Sequence, residues 1–100
     1  MFVAIHHNIT DAKKWEETTS QIGPMVEQGR LPKGLKALFY LPSTDGRRAD
    51  CVWEADSLDN LKRFLDPLTT PAARNEYFQI NTEQAFGLPV HAEEHATARH

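Results

Sequence analysis

Residues 49–58 read Ala-Asp-Cys-Val-Trp-Glu-Ala-Asp-Ser-Leu, ADCVWEADSL. The first seven residues alternate in character and include Val52 and Trp53, which favour extended chain. Asp56-Ser57 then supplies a helix N-cap, with Asp59 and Asn60 in the first turn that follows. A strand that runs straight into a capped helix is the junction around which the other elements arrange themselves. The same stretch carries Glu54, a carboxylate in otherwise apolar sequence. Such a group needs a partner, a ligand or water.

Working outward, residues 58–68 place Leu58, Leu61, Phe64, Leu65 and Leu68 on one helical stripe. Asp66-Pro67 is expected to end or bend that helix. On the other side, Pro42–Arg48 (PSTDGRR) is turn chemistry centred on Asp45-Gly46. Leu35–Leu41 (LKALFYL) before it reads as a strand, so it and residues 50–55 form a hairpin. Phe2–His7 (FVAIHH) is a further short strand. Between them Trp15, Thr18 or Thr19, Ile22 and Met25-Val26 recur at helical spacing. Gly23-Pro24 interrupts that helix and should kink or restart it, and Gly29 stops it. Glu76–Asn81 (EYFQIN) is a fourth strand, and residues 82–89 offer one more helical turn. Residues 1–89 form one α+β domain, and residues 90–100 form a polar tail.

The order β-α-β-β-α-β is the ferredoxin-like arrangement: a four-stranded antiparallel sheet with both helices on one face. The other face is left bare. A bare, partly apolar sheet face in so short a chain predicts a partner, so a homodimer or higher homo-oligomer is expected.

Composition narrows the classes. The chain has 100 residues, 40% hydrophobic and 25% charged, with a net charge of −3. The eleven Lys and Arg are scattered, so no basic face for nucleic acid is expected. No apolar run approaches the ~20 residues that a membrane helix needs. No signal peptide is apparent at the N-terminus and the single cysteine, Cys51, has no partner for an internal disulfide, so a cytoplasmic setting is the default.

The topology, the size and the phrase Cys51-Val52-Trp53-Glu54-Ala55-Asp56-Ser57 before a helix resemble small bacterial proteins of the dimeric α/β-barrel (ferredoxin-like) superfamily. The CVWEA segment is similar to a strand in an uncharacterised group that includes a nickel-binding protein. The topology resemblance spans residues 2 to about 89, and the motif about seven residues. The resemblance implies a pocket and a paired sheet. It also implies chemistry of the cofactor-free monooxygenase or isomerase type, or none.

Strand alternation sorts the side chains into faces. Taking the more apolar set of each strand as the helix side puts Val3, Ile5, His7, Leu35, Ala37, Phe39, Leu41, Cys51, Trp53, Ala55, Phe78 and Ile80 there. The other face then holds His6, Lys36, Tyr40, Asp50, Glu54, Tyr77 and Gln79. One displaced residue in any strand reverses its set. On this reading His6 and Glu54 are a candidate acid/base pair, with Tyr40, Tyr77 and Gln79 as orienting donors to a ligand. The alternative is a polar interface or solvated face with Glu54 bridging to Lys36.

A metal is a separate possibility. His6 with Glu54 and a symmetry mate could supply a three-ligand site for nickel or zinc. The tail string His91-Ala92-Glu93-Glu94-His95 matches H-x-x-E-H, but it lacks the surroundings of a peptidase. Three further residues have plainer readings. His7 is read as a capping or surface group, Cys51 as an inert core thiol and Asn75 as a turn residue, with a donor at a pocket rim as its alternative. A small-molecule-binding protein or small enzyme, a metal-binding module and a structural homodimer all remain open.

Overall fold

A computed structural model describes residues 1–89. The tail, residues 90–100 with His91 and His95, lies outside the described residues. The elements run β1 (Phe2–Ile9), α1 (Ala12–Glu27), β2 (Leu35–Pro42), β3 (Arg48–Ala55), α2 (Leu58–Thr69) and β4 (Ala73–Gln79). They form one antiparallel sheet in the order β2-β3-β1-β4, the ferredoxin-like topology. Both helices cover the face that carries Val3, Ile5 and Trp53.

Local chemistry explains the element ends. The Ser57 hydroxyl accepts from Asn60 N at 3.0 Å and so caps α2. The Asp11 carboxylate accepts from Lys14 N at 3.1 Å and caps α1. The β2–β3 hairpin turns through Ser43–Arg48, with Gly46 at φ +73° and Ser43 N donating to Arg48 O. Neither internal proline breaks its helix: Pro24 lies inside α1 and Pro67 inside α2. Both are exposed, so the carbonyls that lose an N–H partner can turn to water. The expected kink at Gly23-Pro24 therefore does not divide α1. The expected stop at Asp66-Pro67 is also corrected, because α2 continues to Thr69. Residues 81–85 make a single hydrogen-bonded turn, with Ala85 N donating to Asn81 O at 3.1 Å, and it is not extended into a helix.

The main core joins Val3 and Ile5 of β1, Leu35, Trp53 and Ala55 of the hairpin, and Leu61 and Leu65 of α2. Trp15 of α1 packs in a smaller cluster with Ala49, Ala72 and Ala73. Helix α1 spans 16 residues, yet only Trp15 and Thr18 are buried on it. Its inner face is thus poorly filled beyond its first two turns.

Two strands depart from the expected faces, β2 through a bulge and β4 with its alternation intact. In β2, Ala37 pairs with Trp53 but Phe39 pairs with Val52, so Leu38 is an extra, bulged residue. Beyond it Tyr40 falls opposite Cys51, on the helix side, while Phe39 and Leu41 turn to the open face. This reverses the expected placement of Phe39, Tyr40 and Leu41. In β4 the register sets Gln79 beside Val3, Tyr77 beside Ile5 and Asn75 beside His7. Tyr77 and Gln79 are therefore on the helix side, and Phe78 is on the open face at 59% exposure. The cause is the polar end of Tyr77. Its hydroxyl donates to Asp66 of α2 at 2.7 Å, and the Lys62 ammonium sits 5.1 Å from its ring centre.

Candidate functional site

A cavity of about 330 Å³ lies between α1 and the sheet. Its walls include Trp15, Ile22, Tyr40, Cys51 and Trp53, with His7 among them. Gly23 of α1 also lines it, and a side chain there would meet no atom within 4 Å. The space is about twice that of the ~150 Å³ cavity known to accept benzene. It exists because α1 carries small or polar groups, Thr18, Thr19 and Gly23, where a filled core would carry large apolar ones.

His7 lies 1% exposed. The strand is longer than expected, reaching Ile9, so His7 is mid-strand and neither a cap nor a surface residue. Its Nδ1 is 2.6 Å from Asn75 Oδ1, and its Nε2 is 3.2 Å from Cys51 Sγ. The ring packs on the Trp15 indole with centroids 4.7 Å apart. Asn75 Nδ2 in turn donates to Thr69 Oγ1 at 2.7 Å, and Thr69 Oγ1 donates to Leu65 O at 2.8 Å.

This chain of bonds has one direction. A backbone carbonyl can only accept, so the Thr69 hydroxyl points its hydrogen at Leu65. Its oxygen then accepts from the Asn75 amide, which turns the Asn75 oxygen toward His7. Nδ1 of His7 must carry the hydrogen, and Nε2 is left with a lone pair facing the Cys51 thiol. Burial lowers the His7 pKa from its ordinary value. The Asn75 bond and the Asp50 charge oppose that shift, and His6 adds to it. Burial also pushes the Cys51 thiol up to about 12. Both groups are thus held neutral at neutral pH.

Tyr40 closes the arrangement from the sheet edge. Its hydroxyl accepts from Trp15 Nε1 at 3.0 Å, a bond that ties β2 to α1 across the cavity. Its own O–H has no protein acceptor among the described residues. Tyr77, by contrast, spends its hydroxyl on Asp66, and burial followed by that carboxylate raises its pKa.

The open face arranges its polar groups differently from the expectation. His6 pairs with Asp50 across β1 and β3, and His6 Nδ1 lies 2.6 Å from Asp50 Oδ1. Glu54 pairs with Phe2 on one side and Lys36 on the other. Four strand positions separate Glu54 from Asp50, about 13 Å at the usual rise. His6 and Glu54 share a face but do not meet, because the β1–β3 register is offset from the one that would juxtapose them. Asp50 is the carboxylate that His6 has. Glu54 instead borders an open cleft with Met1, Lys36 and Asp56. Among the described residues, no group of three or more His, Cys, Asp and Glu side chains is placed to hold a metal ion.

The residues that converge on the cavity were visible in part. His7 stands third in the series Val3, Ile5, His7, and Cys51 stands in the series Cys51, Trp53, Ala55. Polar groups in two apolar series on neighbouring strands were the available signal. Thr69 gave none, since it depends on α2 passing Pro67, and Asn75 was read as a turn residue first because β4 starts earlier than expected.

No protein-family description matches the chain. No curated protein matches it either. Among solved structures, it is similar to a de novo designed protein with ferredoxin fold, determined by solution NMR. The two share 16% identity at a TM-score of 0.45, over 91% of this chain and 94% of the other. No helix among the described residues is long and apolar enough to cross a membrane.

Proposed function

We propose that the protein binds a small, mostly apolar organic molecule in the cavity between α1 and the sheet. The observation that carries this reading is the 330 Å³ space itself, with aromatic walls and with His7, Cys51 and Tyr40 among its lining residues. Such a combination is the usual form of a small-molecule site. The ligand would fill the gap that α1 leaves, which restores the dispersion contacts its walls lack. Titration with naphthalene- or indole-sized compounds, followed by Trp fluorescence and melting temperature, tests it. Binding should stabilise the fold and should vanish in Gly23→Phe, whose ring would occupy the space. Equal binding to that variant would exclude the cavity as the site.

A second reading concerns the open face. The register aligns Phe39, Val52, Ala4 and Phe78 in one row across all four strands. Phe39 is 40% exposed and Phe78 59%. An apolar row of that length supports self-association of the chain through this face, as a homodimer. Light scattering should give twice the monomer mass, and Phe39→Lys with Phe78→Lys should return the monomer. A monomer for the unaltered chain at high micromolar concentration would exclude it.

A further inference from the structure

We propose that Cys51 and His7 are a nucleophile and its base, with Asn75 as the positioning residue, and that Cys51 accepts an acyl group from an activated apolar ester or thioester in the cavity. The proposal rests on the reading of the cavity as a small-molecule site, and it names the substrate class.

The geometry has the parts such a transfer requires. Cys51 Sγ lies 3.2 Å from His7 Nε2. His7 Nδ1 lies 2.6 Å from Asn75 Oδ1, and the Thr69–Leu65 chain behind Asn75 sets the tautomer. The nitrogen facing the thiol is therefore the one that can take its proton. Cysteine, histidine and asparagine recur in these roles on unrelated folds, where geometry and not chain order defines the set. Here three different strands, β3, β1 and β4, supply them. Cys51 and His7 both line the cavity, so a carbonyl carbon held there can approach the sulfur.

Tyr40 provides the donor for the oxygen. It is the direct partner of Cys51 in the β2–β3 ladder, on the same face. Its hydroxyl already accepts from Trp15, which aims its own hydrogen elsewhere. That O–H is the available donor beside the nucleophile, and a developing oxyanion is what it can serve. The walls set the acyl group: Ile22, Trp53 and Leu65 fit a hydrocarbon chain or ring and offer nothing to a charged one.

As Sγ attacks the carbonyl carbon, the thiol proton moves to His7 Nε2 and a C–S bond forms. The C=O π pair moves onto oxygen, against the Tyr40 hydroxyl. Collapse restores the C=O, breaks the bond to the leaving alcohol or thiol and returns the proton from Nε2 to it. The products are the Cys51 thioester and the free alcohol or thiol, with no change in oxidation state. Because burial keeps the thiol and imidazole neutral, proton transfer must accompany attack. Burial alone would make Cys51 less reactive than a free thiol, so the two cases differ in sign.

The test uses p-nitrophenyl hexanoate as substrate and N-(4-nitrophenyl)hexanamide as its unreactive analogue. The native chain should release one equivalent of p-nitrophenolate in a burst faster than N-acetylcysteine does at the same pH. Mass analysis should find the hexanoyl group on Cys51. Cys51→Ala should abolish the burst and still bind the anilide. His7→Gln should slow acylation by roughly 10²–10⁴-fold, the span of a general base. Asn75→Ala should lower the acylation rate with anilide affinity kept, and Asn75→Asp should restore the rate, since its oxygen still accepts from Nδ1. Should His7→Gln fail to fold, the two Asn75 variants carry the same test. If the anilide binds but Cys51 acylates no faster than N-acetylcysteine, or equally fast without the base, the proposal is overturned and the cavity reading stands. If the anilide does not bind, or binds Gly23→Phe equally well, both fall.

Discussion

The Oδ1 of Asn75 accepts from Nδ1 of His7 at 2.6 Å, joining the last strand of the sheet to the first below the covering helices. Neither residue could sit there alone. A buried polar group left without its partner costs about 1–3 kcal/mol, and the half-buried Asn75 amide would lose its bonds as well. Asn75→Ala leaves His7 Nδ1–H and the Thr69 oxygen without that partner. Urea unfolding should show a loss of about 2–6 kcal/mol from the two groups, and Asn75→Asp should lose less.

Stability should also follow pH through His7. Burial holds its folded pKa below the ordinary value, so the unfolded chain binds its proton first. Stability therefore begins to fall as pH drops through about 6.5, the unfolded value. The loss continues until the lower folded pKa is passed and then levels off. His7→Gln should flatten the curve of melting temperature against pH in that window. The carboxyl of Asp45, held low chiefly by its Ser43 hydrogen bond, acts separately in the acid range below it.

Gly34 is fixed by its surroundings. It has φ +88°, and a Cβ added there would press into the Asp56 carboxylate. Asp56 cannot easily yield, since its carboxylate accepts from Asn60 at 2.9 Å and its N–H donates to Gly34 O at 2.9 Å. Gly34→Ala should cost about 1–3 kcal/mol from the backbone conformation alone. Differential scanning calorimetry should show a drop in melting temperature of several degrees.

Gly23 should behave in the opposite way. It lies mid-helix with open space around its missing side chain. Gly23→Ala should stabilise by about 0.5–1 kcal/mol, the ordinary helical gain over glycine. It should leave ligand binding in place, because a methyl group takes up little of the cavity. Thermal melts with and without a bound naphthalene-sized compound check both points.

The topology was legible because each element announced itself locally. Ser57 and Asp11 have cap chemistry, Asp45-Gly46 is a hairpin turn, and the α2 stripe has helical spacing. The faces were legible in β1 and β3, where the more apolar set does lie inward; β4 alternates as regularly, but its polar set faces the helices. The expected faces failed at Tyr40 and Tyr77, whose aromatic bodies suit either side of a sheet. In both cases a distant hydroxyl partner decided the side: the Trp15 indole for Tyr40 and the Asp66 carboxylate for Tyr77. Such partners lie 25 and 11 residues away in sequence, beyond any local pattern. The same holds for His6, whose carboxylate partner depended on the β1–β3 register.

The extra residue at Leu38 makes β2 a strand with two allegiances. Up to Ala37 it counts with the core, and from Phe39 onward the parity is inverted. Removing one residue there would restore a single parity along the whole strand. Phe39 and Leu41 would swing inward to plug the space beneath α1, while Tyr40 would swing outward and let go of Trp15. The shortened chain would be better packed, with little of the cavity left. The extra residue in β2 and the small groups of α1 thus act together: one turns Phe39 and Leu41 outward, and the other leaves the space they would have filled.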